Sequence, residues 1–283
     1  MVKTSPLQLL KYLKQELTPL YGDESNSLAM LITEFHTKLS RTDIIADTPA
    51  LTGPQFNLQV SKTVDRLKAR EPIQYILGQS HFYGHEFKVT PATLIPRPET
   101  EELVDLIIKE TSSQTGIKIL DIGTGSGCIA ISLCLALEAP IVTAIDISAA
   151  AIEVASENGQ FHKAPVTFKV MDVLSDFLTE TYDLIVSNPP YVRESEKKFM
   201  QSNVLDFEPQ QALYVSDDSP LVYYTRIGQI AFEHLTSGGR LYFEINESFG
   251  EEIRDLLTAY GFEKVSLIKD FMGKDRIISA SRP

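Results

Sequence analysis

The chain has 283 residues, 43% of them hydrophobic, which is enough for a large core and for more than one domain. Its 26 Lys and Arg face 38 Asp and Glu, a net charge of -12, whereas a duplex-binding surface carries a basic excess. No run of about 18 apolar residues suggests a membrane span, and only Cys128 and Cys134 are available for thiol chemistry.

Met1 to Leu20 intersperses Lys3, Lys11, Lys14 and Glu16 among leucines, so it lacks the continuous apolar core of a signal peptide. Leu9, Leu10, Leu13, Leu17 and Leu20 recur at helical spacing, as do Leu28, Leu31, Ile32, Phe35 and Leu39. Asn57 to Arg70 is a third amphipathic stretch, with Pro49, Gly53 and Pro54 punctuating before it. No strand alternation interrupts residues 1–75, which predicts a small all-helical domain. The basic run Lys62, Arg66, Lys68 and Arg70 reads as a solvated helix face.

Residues 76–100 read as a linker. His81 to Val89 clusters aromatic and β-branched residues around Gly84, which predicts a hairpin. His81 and His85 are read as loop residues of this hairpin and not as a metal pair. The proline-flanked turn Ile95-Pro96-Arg97-Pro98-Glu99-Thr100-Glu101 follows, with Thr100 a candidate cap for a helix carrying Leu103, Val104 and Ile107.

Residues 101–283 alternate strands with helices. Strands are expected at 117–122, 141–145, 166–170, 182–186, 240–245, 264–268 and 275–279, and helices at 128–137, 149–157, 221–235 and 250–260. Such alternation implies a doubly wound, mostly parallel α/β sheet of Rossmann-like type. The last two strands are joined by a short turn at Gly273, so one of them should run antiparallel. Cys128 and Cys134 fall in one apolar helix, six apart, as small core residues, and their low number suits a reducing cytoplasm.

Four constellations carry chemistry. In Asp121-Ile122-Gly123-Thr124-Gly125-Ser126-Gly127, glycines sit where a buried strand gives way to a helix. They permit a tight turn and close ligand approach, while the helix start offers N–H donors. The spacing is not that of a dinucleotide site, and Asp121 would repel a pyrophosphate but suit a ligand carrying an ammonium group. Asp146, at the end of the next strand, is placed to accept both hydroxyls of a ribose; the bland alternative is a helix N-cap. In Met171-Asp172-Val173, an acid after the third strand suits an adenine amine, and a plain polar loop residue fits nearly as well.

The sharpest signal is Asn188-Pro189-Pro190-Tyr191 after the fourth strand. The Asn188 side chain and the Pro189 backbone each offer a carbonyl, and together they can take both hydrogens of one NH2 group. That grip favours a pyramidal nitrogen and turns its lone pair toward a methyl donor, an aid that counts where it is stronger at the transition state. Tyr191 offers a ring for a planar target.

With these motifs in hand, the chain resembles the protein-(glutamine-N5) methyltransferases that act on peptide chain release factors, within the class I S-adenosylmethionine-dependent methyltransferases. The resemblance runs through Glu71 to Gly78, Phe82-Tyr83-Gly84 with Phe87, Leu94 to Glu101, Asp121 to Gly127, Asp146, Asn188 to Tyr191, and Phe207-Glu208-Pro209. It implies a helical N-terminal substrate-docking domain, a hairpin linker and a seven-stranded methyltransferase domain. The implied cofactor is S-adenosylmethionine, held by Gly123, Thr124, Gly125, Ser126, Gly127, Asp146, Val173 and Asn188. Val173 stands where some relatives carry a larger aromatic side chain. The implied substrate is the glutamine of a Gly-Gly-Gln loop in a release factor, held by Asn188, Pro189, Pro190 and Tyr191, with Asn188, Pro189 and Tyr191 catalytic. The location would be cytoplasmic, with no metal, no membrane and no direct nucleic-acid partner. The competing readings are glutamine methylation of a ribosomal protein, a DNA amino-methyltransferase, and a non-catalytic S-adenosylmethionine-binding regulator.

Overall fold

The computed structural model describes residues 2–200 and 202–283. The chain forms two compact units, one taking in residues up to Gly78 with Ser202–Phe207, the other Gln79–Gln201 and Glu208–Pro283.

The first unit opens with strand β1 (Val2–Thr4), then helices α1 (Pro6–Tyr21), α2 (Ser25–Thr37) and α3 (Arg41–Ile45), strand β2 (Ala50–Thr52), and helices α4 (Phe56–Lys68) and α5 (Ile73–Leu77). Ser5 caps α1 by accepting from the Gln8 N–H, and Pro6 at the first position has no amide proton to waste. Leu9, Leu13 and Leu17 of α1 meet Ala29 and Ile32 of α2 and Val60, Val64 and Leu67 of α4 in one core. The unit is not all-helical: β1 pairs antiparallel with β2. Three residues per strand are too few to display a period-two pattern, so these strands are not visible by alternation. Lys62, Arg66, Lys68 and Arg70 are exposed, and Arg66 and Lys68 are paired with Glu71 and Glu16.

The second unit begins with the hairpin β3 (Gln79–Phe82) and β4 (His85–Lys88). Its turn residues Tyr83 and Gly84 both have positive φ, 47° and 76°, the backbone a tight two-residue hairpin requires. His81 and His85 are strand residues rather than loop residues. Phe82 and Phe87 anchor the hairpin, edge to face in the core.

Next come α6 (Pro98–Thr111), β5 (Lys118–Ile122), α7 (Cys128–Ala136), β6 (Ile141–Asp146), α8 (Ala149–His162), β7 (Val166–Val170), β8 (Tyr182–Ser187) and the short β9 (Val192–Arg193). Helix α9 (Ser202–Phe207) belongs to the first unit. The chain then continues through α10 (Gln210–Leu213), β10 (Tyr214–Val215), α11 (Val222–His234), β11 (Leu235–Glu244), α12 (Gly250–Ala259), β12 (Glu263–Lys269) and β13 (Asp275–Ser281). Seven strands form one sheet in the order β12-β13-β11-β8-β5-β6-β7. Strands β11, β8, β5, β6 and β7 are parallel, and β13 runs antiparallel to both its neighbours. Helices α6 and α7 bury apolar residues on one face, among them Leu103, Ile107, Ile131 and Leu133. Tyr224, Ile227, Ile253 and Leu257 of α11 and α12 cover the other. Cys128 and Cys134 are buried and unpaired in α7. No helix of the described residues is long and apolar enough to cross a membrane.

Because β5 lies between β6 and β8, the chain leaves it in one direction for β6 and returns on the other side as β8. Loops after these strands diverge and leave a crevice at the carboxyl ends, the place where open α/β sheets bind ligands.

Candidate active site

A cavity opens at that crevice. Its wall includes Gly123 to Ser126 after β5, Asp146 to Ser148 after β6, Met171 to Val173 after β7, and Asn188 to Pro190 after β8. Arg97 and Thr100 from the proline-flanked turn, and Tyr223 and Ile227 from α11, complete it.

The glycine loop is bent back on the sheet: Gly123 N and Thr124 N both donate to the Ile145 carbonyl, at 2.9 and 3.0 Å. Gly123, Gly125 and Gly127 all have positive φ, which a residue with a Cβ adopts only at a cost. Gly125 lines the cavity, and a Cβ there would meet nothing within 4 Å. Gly127 is outside the lining; a Cβ on it would lie 3.1 Å from Ile131, 3.2 Å from Ala155 and 3.4 Å from Phe168. The loop is held from behind by the buried Asn158 of α8, whose Nδ2 donates to the Ser126 and Lys88 carbonyls.

Asp121, fully buried at the end of β5, accepts a 2.6 Å hydrogen bond from the Thr124 hydroxyl through Oδ2. Its Oδ1 has no hydrogen-bond partner among the described residues. Burial pushes this carboxyl up to about 7. Asp146 accepts from Gly125 N through Oδ2 and from Ser148 N through Oδ1, each at 2.9 Å. It is not the helix cap, since Ser148 caps α8. Both carboxylate oxygens retain acceptor capacity beyond these bonds. Asp172 holds its own loop, accepting from Leu174 N and the Ser175 hydroxyl, beside Met171 and Val173 in the wall.

Asn188 donates from Nδ2 to the Thr100 hydroxyl oxygen at 3.3 Å. Thr100 in turn donates to Glu244 Oε2 at 2.6 Å. Tyr191 is set back from the cavity, and its hydroxyl donates to Glu244 Oε1 at 3.2 Å. Burial pushes the Glu244 carboxyl up, while the Thr100 bond, the Arg276 charge and the Tyr191 bond oppose the rise. Thr100 is therefore not a helix cap. Pro98 starts α6 at its first turn, where a missing N–H is harmless, with Arg97 in the cap position, so Thr100 falls inside the helix. Nearby, Arg97 pairs with Glu208 at 2.6 Å, and Glu208 also accepts from Ile95 N. This ties Glu208 to the Ile95 to Glu101 turn.

Sequence motifs located the cavity wall after β5, β6, β7 and β8. They missed Glu244 and Asn158, which stand in β11 and α8 with no local signature, and the use of the Thr100 hydroxyl.

Comparison with known proteins places this architecture. A methyltransferase from Pyrococcus furiosus has the same fold at a TM-score of 0.53, with 18% identity over 80% of this chain and 97% of its own. The family described as Methyltransferase small domain matches residues 100–212, and the PrmC N-terminal domain matches residues 8–78. A release factor glutamine methyltransferase of Bacteroides thetaiotaomicron is 44% identical over 97% of this chain and 99% of its own. One from Flavobacterium psychrophilum is 43% identical over 94% and 95%. The chain belongs to the release factor glutamine methyltransferase family.

Proposed function

We propose that the protein transfers a methyl group from S-adenosylmethionine to the side-chain amide nitrogen of the glutamine in a release factor's Gly-Gly-Gln motif. The observation that carries this reading is the Asn188-Pro189-Pro190 wall sharing one cavity with the glycine loop and Asp146. Family membership narrows the acceptor to glutamine, as the relatives' names state.

The residues present fit S-adenosylmethionine. Asp146 has acceptor capacity for two ribose hydroxyls, and Gly125 leaves open space where any side chain would project. Burial raises the Asp121 carboxyl behind the loop, and a cationic ligand would favour its ionised form where a phosphate would oppose it. Met171 and Val173 give an apolar seat for a base. When bound, the cofactor supplies an electrophilic methyl on a sulfonium.

The chain's own work is to prepare the amide. Asn188 Oδ1 and the Pro189 carbonyl accept the two NH2 hydrogens. An amide lone pair is delocalised into its carbonyl; holding both hydrogens favours the pyramidal nitrogen that attack requires. The acceptors are preorganised, since the prolines fix the backbone and Asn188 is braced by Thr100. Methylation leaves a cationic amide nitrogen that sheds its proton readily, so no strong base is demanded. The helical first unit would dock the release factor, and a substrate met at the ribosome puts the reaction in the cytoplasm.

A tritium methyl-transfer assay offering a release factor, ribosomal subunits and DNA in parallel tests the reading. Label should enter the release factor alone, on glutamine by mass spectrometry, and a Gln→Glu acceptor should take none. Label on another residue overturns the substrate assignment.

A further inference from the structure

Asn188 can serve as an acceptor only if its amide is turned the right way round. Its two ends are nearly the same shape, and the wrong end would present N–H hydrogens to an incoming NH2 group. What turns it lies behind the wall. Thr100 has one hydroxyl proton, committed to Glu244 at 2.6 Å, so toward Asn188 its oxygen can only accept. Nδ2 must face Thr100, and Oδ1 must face away from it. Glu244 is 1% exposed and also takes the Tyr191 hydroxyl proton on its other oxygen. Burial raises the Glu244 carboxyl; against it the Thr100 bond, the charge of Arg276 in β13, itself paired with Asp270, and the Tyr191 bond all favour the carboxylate that can accept from both hydroxyls.

We infer that Glu244 is a positioning residue: through Thr100 it sets the orientation of the Asn188 amide, while Tyr191 anchors its second oxygen. This rests on the reading of Asn188 as the acceptor for the target NH2. It gives Tyr191 a structural tie to the carboxylate in addition to any contact with substrate. It also explains why a carboxylate is tolerated at the end of β11, where every neighbouring strand residue from Leu241 to Phe243 is buried and apolar.

Thr100→Val keeps the branched shape and removes the hydroxyl. Turnover on a release factor should fall roughly tenfold or more, the scale of one lost hydrogen bond to a charged system. KM for S-adenosylmethionine should not change, and Thr100→Ser should restore turnover. Glu244→Gln, which cannot accept both hydroxyl protons, should also lower turnover. In an Asn188→Ala background neither change should cost anything further, because the amide they steer is gone. Equal losses in both backgrounds overturn the inference. A second readout needs no activity: the Asn188 side-chain amide resonances, assigned by their loss in Asn188→Ala, should shift in Thr100→Val and in Glu244→Gln. Unmoved resonances overturn it as well. Shifted resonances in a chain that methylates no release factor would sink the proposed function and leave the positioning role standing.

Discussion

Asp121 is buried and Asp146 half-buried beside one glycine loop, and they have different consequences. Each Asp146 oxygen already takes a backbone N–H, so the side chain is fixed before any ribose arrives. Asp146→Ala should weaken S-adenosylmethionine by at least about 100-fold, since two charge-assisted bonds worth about 1.5–3 kcal/mol each are lost. Asp146→Asn keeps one oxygen and should fall between. Calorimetry checks both, and unchanged affinity in the alanine variant would remove Asp146 from the ribose site. Asp121 acts on stability instead. Its carboxyl is pushed up to about 7 in the folded chain, from an ordinary unfolded value near 3.8. Between those values the folded state holds a proton that the unfolded state has lost, so stability falls as pH rises from about 4 to about 7. The ceiling is on the order of 4 kcal/mol. Asp121→Asn cannot ionise; its melting temperature relative to the parent should therefore rise between pH 5 and pH 8, as thermal melts will show. A constant gap would mean that Asp121 stays ionised throughout.

At the scale of elements, the glycine loop divides its labour. Gly127→Ala places a Cβ against Ile131, Ala155 and Phe168 in a left-handed backbone. The backbone strain alone is about 1–2 kcal/mol, so melting temperature should fall before ligand affinity does. Gly125→Ala meets no atom but protrudes from the cavity wall. Its folded state should be less affected, and its affinity for S-adenosylmethionine should drop more than that of Gly127→Ala. Paired melts and titrations decide the matter; the reverse order would exchange the two roles. Much of this architecture was legible because it is local: a strand-loop-helix with glycines, an Asn-Pro-Pro after a strand, a Gly-centred hairpin. Boundaries failed where tertiary contacts overrode the local signal. Helix α8 continues through Gly159 to His162, beyond the expected stop; the glycine there is not a helix end but a packing requirement, since the Phe168 ring lies against it and leaves no room for a larger residue. Strand β11 begins at Leu235 and not at Arg240, with a register break over the interval that contains Gly238 and Gly239. The brace behind Asn188 was illegible for a different reason. Thr100 and Glu244 are 144 residues apart, and nothing in either neighbourhood announces the other.

At the scale of the molecule, the first unit has its own apolar core and the second carries the whole cavity. Removing residues up to Gly78 should spare S-adenosylmethionine binding and impair methylation of an intact release factor. A short glutamine peptide, too small to need docking, should lose much less. If the truncated chain methylates the whole factor at the parent rate, the helical unit has no docking role.

The single reversed strand bears on how the protein is made. Strand β13 sits between β11 and β12, so the inner part of the sheet is completed by a strand that follows both of them in the chain. Once β11 ends at Glu244, the 37 residues from 245 to 281 must still be added before its open edge is covered. At about 5–20 residues per second that is an interval of about 2–7 s, in which β11 presents unpaired amides beside Tyr242 and Phe243. Released chains that end at Glu244 should be cut readily by protease across β8 and β11, and chains that extend through Ser281 should resist.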